Sequence, residues 1–265
     1  MTEIITSIKN PDIKYLRKLY RSHRRRREEK FILEGTRLIE QALQAGAEIK
    51  QIFMTPDYDD SLCKKVQKDE GIKITRVSRD LIEEVADTVT PQGIIAVVDK
   101  PSWQPEDIFT GPKHPLLVLD RIQDPGNMGT LIRTAVAAGV GGLIALKGCV
   151  DIYNLKVLRA TAGAVFSIPF LMRVELNDFL NMYSSRDYDL YCADLNGEQY
   201  YYEPDYDKPA IFVIGNEARG ISEELLQKAD YRIKIPLLGE IDSLNAGVSG
   251  SIILYEYLRH RQKIK

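Results

Sequence analysis

Residues 116–146, LLVLDRIQDPGNMGTLIRTAVAAGVGGLIAL, read as one strand, one helix and a second strand. LLVLD (116–120) and GLIAL (142–146) are short, nearly unbroken apolar runs, as strands covered on both faces require. Between them Met128, Leu131, Ile132, Ala135 and Val136 recur at helical spacing, with Asn127 placed to cap the helix and Gly139 to stop it. A strand–helix–strand unit of this kind joins parallel neighbours. The rhythm continues through SIPFLM (167–172), DLYCAD (189–194), AIFVIG (210–215) and RIKIP (232–236), with helices near 154–162, 176–185, 222–229 and 248–262. The expected fold is α/β, with a mostly parallel open sheet whose ligands gather beyond the carboxyl ends of its strands.

Upstream, PSWQPEDIFTGPKHP (101–115) carries four prolines and a glycine without a sustained period, and reads as a linker. This predicts a first domain over 1–100, a linker over 101–114 and a second domain over 115–265. The first alternates helices (12–22, 36–45, 59–69, 79–86) with strands at FILEG (31–35), IKQIFMT (49–55), KITRVS (73–78) and GIIAVVD (93–99), a small α/β sandwich.

The 265 residues are 44% hydrophobic and 28% charged, enough apolar material for packed cores and too ordinary a mix for disorder. No apolar run reaches the roughly 18–20 residues of a membrane helix, and MTEIITSIKNPDIK lacks the apolar centre of a signal peptide. Cys63, Cys149 and Cys192 lie far apart, accompanied only by His23, His114 and His260, so neither a disulfide framework nor a metal site is expected. These features predict a cytoplasmic, metal-free protein that does not engage membranes.

The net charge of −2 hides a polarised chain, because residues 1–30 hold ten Lys and Arg against four Asp and Glu. Lys14, Arg17, Lys18, Arg21, Arg24, Arg25, Arg26 and Arg27 fall within fourteen positions that contain no acid. Such density repels itself and gains from a phosphate backbone, which makes Arg24 to Arg27 the candidate RNA contacts. A solvated basic arm is the plainer alternative.

The common nucleotide and hydrolase signatures are missing. Gly139, Gly141 and Gly142 do not give GxGxxG, no GxxxxGK loop occurs, and GVSGS (247–251) breaks the GxSxG elbow. Three loops stand out instead. In the first, Arg133 lies one helical turn after Gly129 and should lean across it toward the strand end. In the second, FVIGNEARGIS (212–222), Gly215 and Gly220 bracket Asn216 and Glu217, allow close approach to a flat ligand, and precede Ser222, which can cap the next helix. In the third, IPLLGEIDSLNAGVSGSIILYEYL (235–258), Ser243 and Asn245 precede a final helix that is apolar on almost every side. A helix of that kind is buried on more than one face, which predicts a subunit interface.

Taken in order, Asn127-x-Gly129-x-x-x-Arg133, Gly215-Asn216-Glu217-x-x-Gly220 and Ile235-Pro236 with Ser243-Leu244-Asn245 resemble the three motifs of the SpoU (TrmH-like) RNA ribose methyltransferases of the SPOUT class. FILEGTRLIEQAL (31–43) and TPQGIIAVV (90–98) resemble the RNA substrate-binding domain that many members carry first. The resemblance implies a deep trefoil knot in the C-terminal domain and S-adenosylmethionine held there largely by backbone, by position at Gly215, Ile235 and Leu244. It implies a homodimer through the catalytic domain, and methyl transfer to a ribose 2′-hydroxyl of RNA, with ribosomal RNA favoured and transfer RNA the alternative substrate.

Arg133 stands where the family has its catalytic arginine. A guanidinium holds its proton tightly, which favours phosphate binding and polarisation of the hydroxyl over proton abstraction. Asn127 and Asn245 would orient the nucleotide and Arg133, Ser243 would bond a loop or the ribose, and Glu217 would bond backbone amides or Arg133. Ala246-Gly247 stands where many members have a β-branched residue and serine, and Gly247 should loosen the start of the last helix. Two rival readings are a non-catalytic RNA-binding assembly factor and a doubly wound enzyme using another nucleotide. The intact Asn127, Arg133 and Asn245 weigh against the first, and the missing phosphate-binding glycines against the second.

Overall fold

The computed structural model describes residues 4–21, 25, 27–58, 62, 66, 71–111 and 114–262. The chain forms two compact units, residues 1–102 with 153–166, and residues 103–152 with 167–265. In the first, α1 (Pro11–Tyr20) starts on Pro11, with Asn10 accepting from the Asp12 amide, and buries Ile13, Leu16 and Leu19. There follow β1 (Lys30–Glu34), α2 (Thr36–Gln44), β2 (Ile49–Met54), β3 (Lys73–Arg76), α3 (Arg79–Val85) and β4 (Ile94–Asp99). The sheet order is β1-β4-β2-β3, with β4 antiparallel to β1 and β2, and β2 parallel to β3. The helix expected over 59–69 lies outside the described residues, apart from Leu62 and Val66, which are helical and buried.

The second unit opens with α4 (Pro105–Ile108), one helical turn inside the stretch read as a linker, where Ile108 is fully buried. Next come β5 (Leu116–Asp120), α5 (Pro125–Ala137) and β6 (Gly142–Leu146). The following helix, α6 (Leu155–Thr161), belongs to the first unit, although the sequence reading ran the second domain unbroken from 115. Its placement has local causes. The Tyr153 and Phe31 rings pack tilted, with centroids 4.4 Å apart, and Gln41 donates to the Ala162 carbonyl at 2.8 Å.

The chain then builds β7 (Phe170–Val174), α7 (Leu176–Ser184), β8 (Asp189–Ala193), β9 (Gln199–Tyr200), β10 (Ala210–Gly215), α8 (Glu223–Leu226), β11 (Tyr231–Lys234) and α9 (Ala246–Gln262). The strand order is β7-β6-β5-β10-β8-β11-β9 and every pairing is parallel. Leu116, Val118, Ile211 and Val213 join Phe179 of α7 and Leu225 of α8 in the core on one face. On the other, Phe212 meets Tyr257 of α9 with ring centroids 5.4 Å apart. Helices α5 and α9 approach closely through small residues. A Cβ on Gly250 would overlap Leu131, one on Gly247 would lie 3.1 Å from Thr130, and the Thr134 and Ser251 hydroxyls share a hydrogen bond of 2.9 Å. Gly247 therefore sits where α5 and α9 pack together. Among the described residues no helix is long and apolar enough to cross a membrane.

Candidate active site

Pro125 fixes the first turn of α5 and Asp124 caps it, accepting from the Asn127 amide at 2.8 Å. Asn127, expected to be the cap, lies inside the helix with its side chain free for other work. Its Nδ2 donates to Glu217 Oε1, and its Oδ1 accepts from Asn245 Nδ2 at 2.6 Å. Asn245 Oδ1 in turn accepts from the Val248 amide in the first turn of α9. Glu217, Asn127 and Asn245 thus tie the three loops together. The partner of Glu217 is the Asn127 amide, in place of the backbone or Arg133 bond expected.

The second loop is locked by Asn216. Its Oδ1 accepts from the amides of Ala218 and Arg219, and its Nδ2 donates to the Arg121 carbonyl, each at 3.0 Å. Its backbone pairs with that of Gly220, which sits at φ +64°. A Cβ on Gly215 would come within 2.5 Å of the returning backbone at Gly220 and Ile221. Glycine at 215 therefore makes room for the loop itself, where the sequence suggested room for a ligand. Ser222 caps α8 by position but makes no side-chain cap bond.

Asp120, buried at the end of β5, accepts from the Ser222 amide at 2.7 Å and pairs with Arg121 at 3.0 Å. The sequence reading passed over it; a carboxylate closing an apolar strand was the available signal. Nearby, burial pushes the Cys149 thiol up to about 12, with Asp120 and Glu217 adding to the effect.

A cleft of about 310 Å³ opens at the carboxyl ends of β8, β10 and β11. Gly215, Glu217, Ile235, Ser243 and Leu244 line it, together with Asn196, Ser249 and an apolar wall that includes Ile214, Leu237 and Ile253. Asn127 and Asn245 are not part of this lining; Asn127 reaches it through Glu217, and Asn245 bonds to Asn127. Among the described residues no cluster of His, Cys, Asp and Glu is placed to hold a metal ion.

Residues 114–255 match the model of the SpoU rRNA Methylase family, and residues 10–96 that of the MRM3-like substrate binding domain. The chain belongs to the SpoU rRNA methylase family. It is 33% identical over 253 residues to the 23S rRNA (guanosine(2553)-2′-O)-methyltransferase RlmP of Bacillus subtilis, covering 95% of this chain and 97% of that one. The AdoMet-bound rRNA methyltransferase of Sinorhizobium meliloti shares its structure with a TM-score of 0.87 at 32% identity, over 98% of each chain. The SpoU methyltransferase AviRb of Streptomyces viridochromogenes, in complex with AdoMet, gives 0.89 at 26% identity over 97% of this chain and 100% of that one. This SpoU methylase is an S-adenosylmethionine-dependent RNA methyltransferase.

The cleft of the SpoU methylase suits that cofactor, offering an apolar wall for a purine and hydroxyl and amide groups for a ribose and an amino-acid end. Arg133 is exposed, six residues beyond Asn127 on α5, and is not part of the cleft lining. Of the four arginines expected on RNA, Arg24 and Arg26 lie outside the described residues, and Arg27 is exposed. Arg25 is 3% exposed and its guanidinium donates to the carbonyls of Leu19 and Tyr20 at the end of α1. It is turned inward because those last helical carbonyls need donors. Arg25 is thus a packing residue, contrary to expectation.

Proposed function

We propose that this SpoU methylase methylates a ribose 2′-hydroxyl of ribosomal RNA, working as a cytoplasmic enzyme. The observation that carries the reading is the side-chain chain Glu217–Asn127–Asn245, which joins three separate loops around one cleft at the strand ends. Preference for ribosomal over transfer RNA is supported by the rRNA named for RlmP and the Sinorhizobium meliloti enzyme. When bound, S-adenosylmethionine supplies a methyl group already activated on a positive sulfur.

The protein's part is then alignment and stabilisation of charge growing on the attacking oxygen. Gly215, Ile235 and Leu244 hold the cofactor. Asn127 and Asn245 fix the loops, and Ser243, exposed at the cleft, bonds the ribose. Arg133 binds a substrate phosphate and polarises the 2′-hydroxyl. The chain forms a homodimer, supported by the apolar residues Val248, Ile252 and Tyr255 on one stripe of α9, with Val248 45% and Tyr255 49% exposed. A second copy on that stripe brings groups outside each cleft, such as Arg133, to the paired sites. The trefoil knot is supported by the path of the chain, which leaves β11 and returns through residues 235–245 to pack α9 on β10 and α5.

The test is methylation of protein-free ribosomal RNA and bulk tRNA with methyl-labelled S-adenosylmethionine, followed by alkaline hydrolysis. A 2′-O-methyl group removes the nucleophile of alkaline cleavage, so a new uncleaved position in ribosomal RNA is expected. Label confined to tRNA, or label on a base, would overturn the proposal.

A further inference from the structure

A second cleft, of about 350 Å³, lies wholly within the first unit and shares no lining residue with the cofactor cleft. It is walled by Glu34 at the end of β1, by Arg37, Leu38 and Gln41 of α2, by Thr88, Thr90 and Gln92, and by Arg159 and Ala162 at the α6 end. The two stretches singled out in the sequence, 31–43 and 90–98, meet around it.

Its walls are held in place before any ligand arrives. Glu34 is buried and accepts from the Tyr20 hydroxyl, the Asp87 and Thr88 amides and the Thr88 hydroxyl. Four donors fill the lone pairs of a carboxylate, so Glu34 clamps the 87–88 turn and has nothing left for a ligand. Gln92 accepts from the Thr36 amide at 2.8 Å, and Arg159 pairs with Asp87 at 2.8 Å. A preformed cleft spares a ligand the cost of ordering it.

The remaining chemistry is specific. Two guanidinium groups, Arg37 and Arg159, are exposed at a cleft that also presents hydroxyl and amide groups. Val89, between Thr88 and Thr90, is not part of the lining; it stands 99% exposed beside the mouth of the cleft. A free phosphate satisfies the arginines but leaves Val89 uncovered and most of the volume empty. A nucleotide uses all three features. Its phosphate meets Arg37 and Arg159, its base face covers Val89, and its base edge bonds Thr90 and Gln92. The volume is near the low end for ligand pockets, the size of one nucleotide and too small for a duplex. Single unstacked nucleotides are what proteins read when they recognise RNA sequence.

We propose that this cleft is a recognition subsite for one unstacked nucleotide of the RNA substrate, a proposal that rests on the RNA methyltransferase reading above. The test uses the full chain with in vitro transcribed large-subunit ribosomal RNA carrying 4-thiouridine. Arg37→Gln and Val89→Asp should each weaken RNA binding by about fivefold or more. Arg79→Gln, which removes an exposed arginine paired with Asp57 in the same unit, should not. Cofactor affinity measured by calorimetry should stay at the wild-type value for all three variants, and unchanged far-ultraviolet circular dichroism and urea unfolding should show that the first unit keeps its fold. Cross-links should map to residues 86–93. Wild-type RNA affinity in Arg37→Gln and Val89→Asp, equal weakening by Arg79→Gln, or cross-links only elsewhere would overturn the subsite while wild-type methylation upholds the enzyme. If the wild-type protein binds cofactor but neither binds nor methylates the RNA, the underlying reading fails, and the subsite with it.

Discussion

Asn245 donates its side-chain amide to the side-chain oxygen of Asn127 at 2.6 Å, and Asn127 passes its own amide to Glu217. The middle position thus needs a side chain that both accepts and donates, which an amide does and a carboxylate does not. Aspartate at 127 would face Glu217 with a second carboxylate, and alanine would strand two partners at once.

Asn127→Ala and Asn245→Ala should each cost about 1–2 kcal/mol of stability, since each leaves hydrogen-bonding groups without a partner. In the double variant the loss should fall short of the sum by about 0.5–1 kcal/mol, because the shared bond can be lost only once. Urea unfolding of the four proteins measures this. Strict additivity would show that the two side chains do not act as one unit.

Arg133→Ala should leave cofactor affinity within about twofold of wild type and lower turnover by about two orders of magnitude or more. The exposed position of Arg133 outside the cleft lining argues for the first half, and its proposed contact with substrate for the second. Calorimetry and single-turnover methylation separate the two. Near-normal turnover would remove Arg133 from the chemistry.

The parallel sheet was legible because β5, β6 and β10 are buried along their whole length, and only unbroken apolar runs satisfy that. The two-residue β9 was not, since two residues carry no period. The helix near 154–162 was legible, but the apolar residues it buries, Leu155 and Leu158 among them, do not say against which unit they pack. At the site, Gly215, Ile235, Ser243 and Leu244 were placed by their motifs and do meet at one cleft. The cap was misassigned because Asn127 and Asp124 are both good caps. What decides between them is Pro125, whose fixed φ starts the helix immediately after Asp124. Arg25 differs for another reason, as a run of arginines does not show that a member reaches back to the end of α1.

Gly250→Ala should destabilise the protein by about 1–3 kcal/mol, since the added methyl overlaps Leu131 between two packed helices. Gly247→Ser meets Thr130 at a distance that a shift of a few tenths of an ångström relieves, and should cost less than about 1 kcal/mol. Thermal unfolding would rank the two. The reverse order would mean that α9 does not approach α5 as closely as these contacts require.

Burial pushes the thiols of Cys149 and Cys192 up to about 12. An unfolded thiol titrates at about 8.5, so above about pH 9 the unfolded chain releases protons that the native state keeps. Stability from these groups is full below the unfolded value and is lost as pH rises toward 12. At pH 8 both thiols should resist iodoacetamide in native Cys63→Ser protein, because the thiolate is the reactive form. Peptide mapping after labelling checks this. Rapid modification of Cys149 at pH 8 would contradict the raised pKa of its half-buried thiol.

The basic stretch near the N-terminus separates into two roles that one pair of substitutions can tell apart. Arg25 is buried, bonds the carbonyls of Leu19 and Tyr20, and lies in a turn whose carbonyls at Arg25 and Glu28 accept from Lys100 at 2.9 and 2.6 Å. Arg25→Gln should therefore lower stability by about 1 kcal/mol or more, through the stranded carbonyls, and leave the salt dependence of RNA binding unchanged. Arg27 is exposed, so Arg27→Gln should leave stability within about 0.5 kcal/mol. If Arg27 touches a phosphate, that variant should flatten the slope of log K against log salt by about 0.7–0.9. Urea unfolding and RNA titrations at several salt concentrations give both quantities for both variants. A slope that changes with Arg25→Gln but not with Arg27→Gln would mean that the inward guanidinium turns out to meet RNA, and the structural assignment of Arg25 would fall.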